Sequence, residues 1–358
     1  MADPRAGRRF ALYCTTLGDY FFAEIRHLLA CGLRSLGHAA VEADERQGFV
    51  TEADWHVVIG AQEFFYLGPG DRLRTGPWPP GVVLYNAEQP GSEWFALVRR
   101  LLPRAHAVWD MDRRTAGRWA REGRPSSYLP LGWVEECGLF APVRRLPDLA
   151  LTRALSPGER RFPASFAQRP LDLLFAGSRV PRREAFFAAA AARLARWRSV
   201  IRLVDDSRFL RHGRKAPLHT RALLGLAQRA KIVLNIHRQE ARYFEWHRVA
   251  LHGIGQGALV VSEPTDAAPP FRAGRDFIAV KLGDMPAAIE HFLASAAGLR
   301  EAARIAAQGL GTYRRSCRLA GFLPSAIARL GPASRAAARR GRNRADAAAE
   351  LLLRHGQV

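Results

Sequence analysis

Residues 230–263 read AKIVLNIHRQEARYFEWHRVALHGIGQGALVVSE. Two short apolar runs, 232–234 and 258–261, are bounded by polar and glycine-rich turns, the pattern of buried parallel strands. The residues between them are long enough for a crossover helix. In that helix Glu245, Arg248 and His252 stand at i, i+3 and i+7 and share one face. Tyr243, Trp246, Ala250 and Ile254 form a separate apolar stripe that would pack on a sheet. Asn235 and His237 follow the first strand, so acid, base, amide and imidazole gather at the carboxyl end of a parallel strand, where open α/β sheets bind ligands.

Working outward, strand and helix patterns alternate along most of the chain, which predicts doubly wound parallel sheets. Before the opening stretch come strands at 10–16, 39–43, 55–60, 82–85, 105–109 and 128–131. Helices are expected at about 19–36, closed by Gly37 as a C-cap, at about 92–102, capped by Ser92, and near 113–121. Residues 68–81 read as a Gly/Pro-rich loop. The alternation lapses over 133–170, which carries several prolines and reads as a linker with irregular excursions. It restarts with LDLLFAGS (171–178), a helix at 181–197, a strand at 199–204 and a helix at 218–229. One more strand at 276–280 and helices at 284–295 and 299–317 follow the opening stretch. The expected organisation is an N-terminal Rossmann-like domain with linker (1–168), a C-terminal Rossmann-like domain (169–330) and an Ala/Arg-rich tail (331–358). Arg335, Arg339, Arg340, Arg342 and Arg344 crowd that tail, read as a solvated helix.

The formal net charge is +21, and of the 54 basic residues only Lys215, Lys231 and Lys281 are lysines. That balance favours anionic partners, phosphorylated small substrates ahead of acidic membranes or nucleic acid. The Arg-for-Lys skew itself reads as the imprint of a GC-rich genome. Cys14, Cys31, Cys137 and Cys317 show no C-x-x-C spacing, which argues against a zinc site or disulfide framework and fits a reducing cytoplasm. The opening MADPRAGRRF lacks an apolar signal core, and no window reaches the ~18 apolar residues of a membrane span. A cytoplasmic protein is expected, with peripheral contact at the inner membrane face left open. Walker, H-E-x-x-H and G-x-S-x-G motifs are absent.

LLFAGSRVPRREAFF (174–187), KIVLNIH (231–237) followed by Glu245-x-x-Arg248, and GALVVSE (257–263) resemble the bacterial glycosyltransferases of the group-1, spore-maturation-like type. FIAVKLGDMPAAIEHFL and GTYRR (311–315) support the likeness, as do VLYNAEQ (83–89), AVWDMD (107–112) and YLPLGW (128–133) in the first half. The resemblance covers roughly residues 10–318. It implies a GT-B fold, two Rossmann-like domains facing across a cleft. The implied activity is metal-independent sugar transfer from a nucleotide-sugar donor, a substrate rather than a cofactor, to an acceptor such as a glycan, a lipid-linked sugar or a protein. It also implies a ribose- or sugar-contacting role for Glu245. Many GT-B enzymes carry Glu-x7-Glu here, whereas this chain has Gly253 at the second position and His252 beside it.

Such chemistry needs a stabilised diphosphate leaving group, for which helix N-termini and arginines are suited. Gly177 and Ser178 between strand and helix, with Arg182 and Arg183 in the first helical turn, form the candidate phosphate loop. Asn235, His237, Glu245, Arg248 and His252 complete the donor set. Gly255 and Gly257 are read as a helix C-cap and a close-packing position. Asp19, Glu88 and Asp110 stand at strand ends where a base could project, although Asp110 could equally cap the next helix. Asp110-Met111-Asp112 is a D-x-D, but two carboxylates do not specify a metal site. Two alternatives remain: an Arg-rich nucleic-acid-binding protein, disfavoured by the lack of a recognisable module, and a GT-B protein that binds nucleotide sugars without transferring them.

Overall fold

The computed structural model describes residues 7–204, 216–240 and 242–331; the arginine-rich tail beyond 331 lies outside the described residues. The chain divides into two compact units, residues 1–130 with 319–358, and residues 131–318.

In the first unit the strands are β1 (Arg9–Tyr13), β2 (Ala39–Ala43), β3 (Trp55–Ile59), β4 (Val82–Asn86), β5 (Ala107–Asp110) and β6 (Ser126–Tyr128). They pair in parallel in the order β2-β1-β3-β4-β5-β6. The helices are α1 (Phe21–Ser35), α2 (Ala61–Phe64), α3 (Gly70–Thr75), α4 (Glu93–Leu101) and α5 (Arg113–Arg121). β3 and β4 are buried along their whole length, which is why they read as continuous apolar runs rather than alternating ones. One face of the sheet packs Tyr13, Val58, Leu84 and Val108 against Phe64, Phe95, Val98 and Trp119 from α2, α4 and α5. Gly37 ends α1 at φ +80° and Ser92 Oγ accepts from Phe95 N, as expected. The 68–81 loop contains the short helix α3, and Asp112 rather than Asp110 caps α5, accepting from Thr115 N at 2.7 Å.

The second unit contains β7 (Leu171–Ser178), α6 (Pro181–Leu194), β8 (Ser199–Val204), α7 (Ala216–Ala227), β9 (Ala230–Asn235), β10 (Leu259–Ser262), β11 (Ile278–Ala279), α8 (Met285–Leu293) and α9 (Ala296–Ser316). Its all-parallel sheet has the order β8-β7-β9-β10-β11. Phe175, Ile232, Leu234, Leu259 and Val261 pack with Phe186, Ile289, Phe292 and Ile305 of α6, α8 and α9. The two opening strands thus pair side by side, Val233 against Val260.

Two features depart from the expected organisation. Residues 131–170 belong to the second unit as a packed irregular layer, not a linker. Arg229, wholly buried, donates to the carbonyls of Val143, Arg160 and Gly225, and Gln228 Oε1 accepts from Val143 N at 2.8 Å. Conversely, α10 (Leu323–Ala328) and Leu319 belong to the first unit, where a Cβ at Gly32 of α1 would strike Leu319 and Leu323. Sequence alternation is blind to both because neither involves a strand.

Candidate functional site

In the second sheet the first strand of the unit, β7, lies beside the third, β9. Their following connections leave toward opposite faces, which opens a crevice at the carboxyl ends of this pair. Gly177 and Ser178 end β7, Asn235 ends β9 with Ile236 and His237 beyond, and Ser262 and Glu263 end the neighbouring β10. The residues expected to hold the donor therefore converge on one sheet edge.

The three arginines of this edge have different employment. Arg183 is 2% exposed. Its Nε and Nη2 donate to Ile236 O at 3.0 and 2.8 Å, and its Nη1 donates to Ser178 O and Oγ at 3.0 and 2.7 Å. Arg183 thus ties the ends of β7 and β9 together, and its expected phosphate role is corrected to a structural one. Arg248 keeps more freedom: its Nη1 reaches Ile236 O at 3.3 Å and Glu245 Oε2 at 3.5 Å, and its guanidinium lies over Phe175. Arg182 is bidentate to Glu263 and also donates to His237 O at 3.2 Å. Gly177 makes this crowding possible, since a Cβ there would lie 3.0 Å from Arg248 Nη2 and 3.1 Å from Arg183 Nη1.

Two polar atoms at this edge have no hydrogen-bond partner among the described residues. Asn235 is fully buried; its Nδ2 donates to Ser262 Oγ at 2.9 Å, and its Oδ1 is unpaired. His237, 3% exposed, leaves Nε2 unpaired. Buried polar groups are nearly always satisfied, and an orphan costs about 1–3 kcal/mol. Two such atoms, two residues apart, stand at the switch point of this sheet.

The segment expected to be an α-helix is a π-helix, Trp246–Gly253, continued by a single 3₁₀ turn. Its i→i+5 bonding changes which residues share a face, and such helices recur at functional sites. Arg248 and His252 line one small cavity with Leu174, Ala176 and Val233, and the His252 ring packs on His247 at 4.0 Å between centroids. Glu245 stands at the N-cap without capping, and its pairing with Arg248 is half-buried rather than superficial. Gly257 ends the segment at φ +69°, and a Cβ at Gly255 would crowd Ala250 O and the rings of Tyr313 and Phe140. Both fill the packing roles expected of them.

In the first unit β1 and β3 form the equivalent switch point. Asp19 is exposed there; its Oδ1 accepts from Phe21 N and its own N–H donates to Glu63 Oε2 at 2.9 Å. Glu88, beyond β4, is half-buried and its Oε1 accepts from Gln62 Nε2 at 2.8 Å. Asp110 is different: it is 0% exposed and accepts from Asp112 N, Asn86 Nδ2 and Trp119 Nε1 at 2.8, 2.8 and 2.9 Å. Burial raises its pKa to about 7 against the pull of those three donors. It pins β4, β5 and α5 together, so the expectation of a base at Asp110 is corrected. With Asp112 capping α5, both carboxylates of the D-x-D are already engaged. Sequence reading also missed Glu45, whose carboxylate receives Thr16 N at 2.8 Å and Thr16 Oγ1 at the end of β1, and Glu63. It missed Glu263 as well, although that residue closes the decisive stretch.

No family model and no curated protein matches the chain. Solved structures do. Anabaena Alr3699/HepE in complex with UDP-glucose aligns at a TM-score of 0.54 with 10% identity, over 90% of this chain and 99% of that one. The fold is that of the GT-B glycosyltransferases. A glycosyltransferase from Rickettsia africae ESF-5 aligns at 0.51 with 10% identity, over 90% and 98% of the two chains. An alpha1,3-fucosyltransferase with GDP-fucose aligns at 0.51 with 10% identity, over 93% of each. This GT-B architecture accounts for the two successive parallel sheets. Among the described residues no helix is long and apolar enough to cross a membrane.

Proposed function

We propose that this GT-B chain is a glycosyltransferase that takes a nucleotide-sugar donor at the switch point of its second sheet. The observation that carries the reading is the pair of unsatisfied buried atoms there, Asn235 Oδ1 and His237 Nε2, beside Arg182 and Arg248. A phosphorylated, hydroxyl-bearing ligand supplies both the anion that guanidinium groups favour and the donors a buried amide oxygen lacks. Structural neighbours that hold UDP-glucose and GDP-fucose support the same ligand class. The spore-maturation-like likeness of the sequence narrows the reading to a bacterial enzyme working at the cytoplasmic side. Its acceptor is a glycan, a lipid-linked sugar or a protein.

The roles divide as follows. Arg248 and Arg182 stabilise the leaving diphosphate, where preorganised charge contributes most. Glu245 and His252 hold the sugar or ribose. Glu88, the half-buried carboxylate at the end of β4, is the acceptor-side base in this reading, with Asp19 next to it in rank. Metal takes no part in the proposed chemistry, because arginines stand where a cation would neutralise charge. A thermal-shift screen of nucleotide sugars on the full chain tests the assignment, since a ligand that prefers the native state raises its stability. A stabilising UDP- or GDP-sugar followed by detection of transferred sugar supports it. Absence of any shift, together with steeply salt-dependent binding to nucleic acid, would favour the alternative class.

A further inference from the structure

At the carboxyl edge of the second sheet a carboxylate outside the expected set accepts three hydrogen bonds. Glu263, 6% exposed, accepts from Arg182 through both oxygens, and its Oε2 also accepts from His237 N at 2.7 Å. Arg182 in turn donates to His237 O at 3.2 Å. The N–H of Glu263 donates to Asn235 O at 3.2 Å, and its carbonyl accepts from Ser262 Oγ at 2.8 Å, the same hydroxyl that receives Asn235 Nδ2. Glu263 therefore holds the backbone of both residues that carry the unsatisfied atoms. The peptide groups on both sides of His237 are held by Glu263 or by the arginine it orients. Asn235 is held through Ser262.

We propose that Glu263 is the positioning residue of the donor site: it holds Arg182 and His237 in the arrangement that receives the ligand's phosphate groups. The inference rests on the functional reading above. A guanidinium offers five N–H groups, and the contacts to Glu263 and His237 use three of them. The remaining donors have no partner among the described residues, on a side chain whose swing is arrested. A free arginine must give up rotamer freedom when it binds; this one has lost it already. Burial raises the Glu263 carboxyl, yet the bonds from Arg182 and His237 outweigh it and hold its pKa below the ordinary glutamate range. The latch is therefore ionised at neutral pH.

The experiment titrates UDP, GDP and inorganic pyrophosphate into the full chain by calorimetry. It compares the wild type with Glu263→Gln, Glu263→Asp and the control Glu290→Gln, which removes a partly exposed partner of Arg193 and Arg196 in the same unit. Positioning predicts about a tenfold or greater loss of affinity for folded Glu263→Gln, the scale of loss seen when outer-shell partners are removed. Glu263→Asp, which keeps the charge, recovers part of it, and Glu290→Gln binds like the wild type. Equal or tighter binding by folded Glu263→Gln overturns the positioning role and leaves the donor site standing. Should that variant not fold, Arg182→Lys, which keeps charge but loses the two-pronged geometry, must show the same loss or the proposal fails. A wild type that binds none of the three ligands overturns the donor site and the positioning role together.

Discussion

At the scale of single residues, exposure separates groups that the sequence lists as equals. Asp110 and Glu88 both stand at the ends of apolar strands, but Asp110 is sealed among three donors while Glu88, which accepts from Gln62, is only half-buried. Glu88→Gln is accordingly expected to lower kcat by about a hundredfold, within the range of lost general-base catalysis, with little change in thermal midpoint. Asp110→Ala should do the reverse, leaving three buried donors unpaired and lowering stability by several kcal/mol at about 1–3 kcal/mol each. Arg248→Ala should abolish binding of nucleoside diphosphates in a protein that stays folded; unchanged calorimetric affinity would remove Arg248 from the site. A buried histidine sets a pH response. His56, hydrogen-bonded to Tyr13, is held neutral because burial lowers its pKa to about 4 from 6.5. Its contribution is complete above pH 6.5 and is lost as pH falls toward 4, up to about 3 kcal/mol. Asp110 works in the opposite sense, losing stability as pH rises from 3.8 through 7. His56→Gln should therefore flatten the acid side of a plot of thermal midpoint against pH.

At the scale of elements, the strand–helix–strand unit of residues 230–263 is legible because its two apolar runs are continuous and glycines mark its turn. The winding of its helix is not. Within the π-helix Gly253 adopts φ −102° and ψ −80°, and a Cβ there would collide with Val260 of β10. The helix can lie this close to its strand only with glycine at the contact. Gly253→Ala is expected to cost about 2 kcal/mol by overpacking, read as a lower unfolding midpoint. The irregular layer at 131–170 offers a second case. Its prolines and lack of period suggested a linker, yet Arg229, just after α7, donates to its carbonyls at Val143, Glu159 and Arg160. Burial lowers the Arg229 pKa to about 10, so it remains charged near neutrality.

At the scale of the whole molecule, the two units are unequal in how the chain builds them. The second is continuous, residues 131–318, with its own core; the first recruits Leu319 and α10 from beyond it. A fragment of residues 131–318 is thus expected to unfold cooperatively alone. A fragment of residues 1–130 should gain stability when 319–331 is fused to it, because the methyl groups of Leu319 and Leu323 then cover Gly32. Equal midpoints with and without that segment would refute the assignment of 319–331 to the first unit. The net charge of +21 belongs to this scale too, as a long-range bias toward anionic ligands rather than a site.

The sequence alone determined that the chain folds as two parallel α/β units and that residues 230–263 form two neighbouring parallel strands with polar residues at their ends. Burial of a parallel strand on both faces demands an apolar run, and that demand is local and readable. Only the tertiary structure decided which polar residues meet. Glu263 closes the decisive stretch, but its partner Arg182 lies on α6, brought near only when β7 pairs beside β9. The same pairing spends Arg183 on backbone carbonyls and leaves Asn235 and His237 with unsatisfied atoms. Hydrogen-bond satisfaction is a property of neighbours in space, so no reading of spacing along the chain could have ranked these residues.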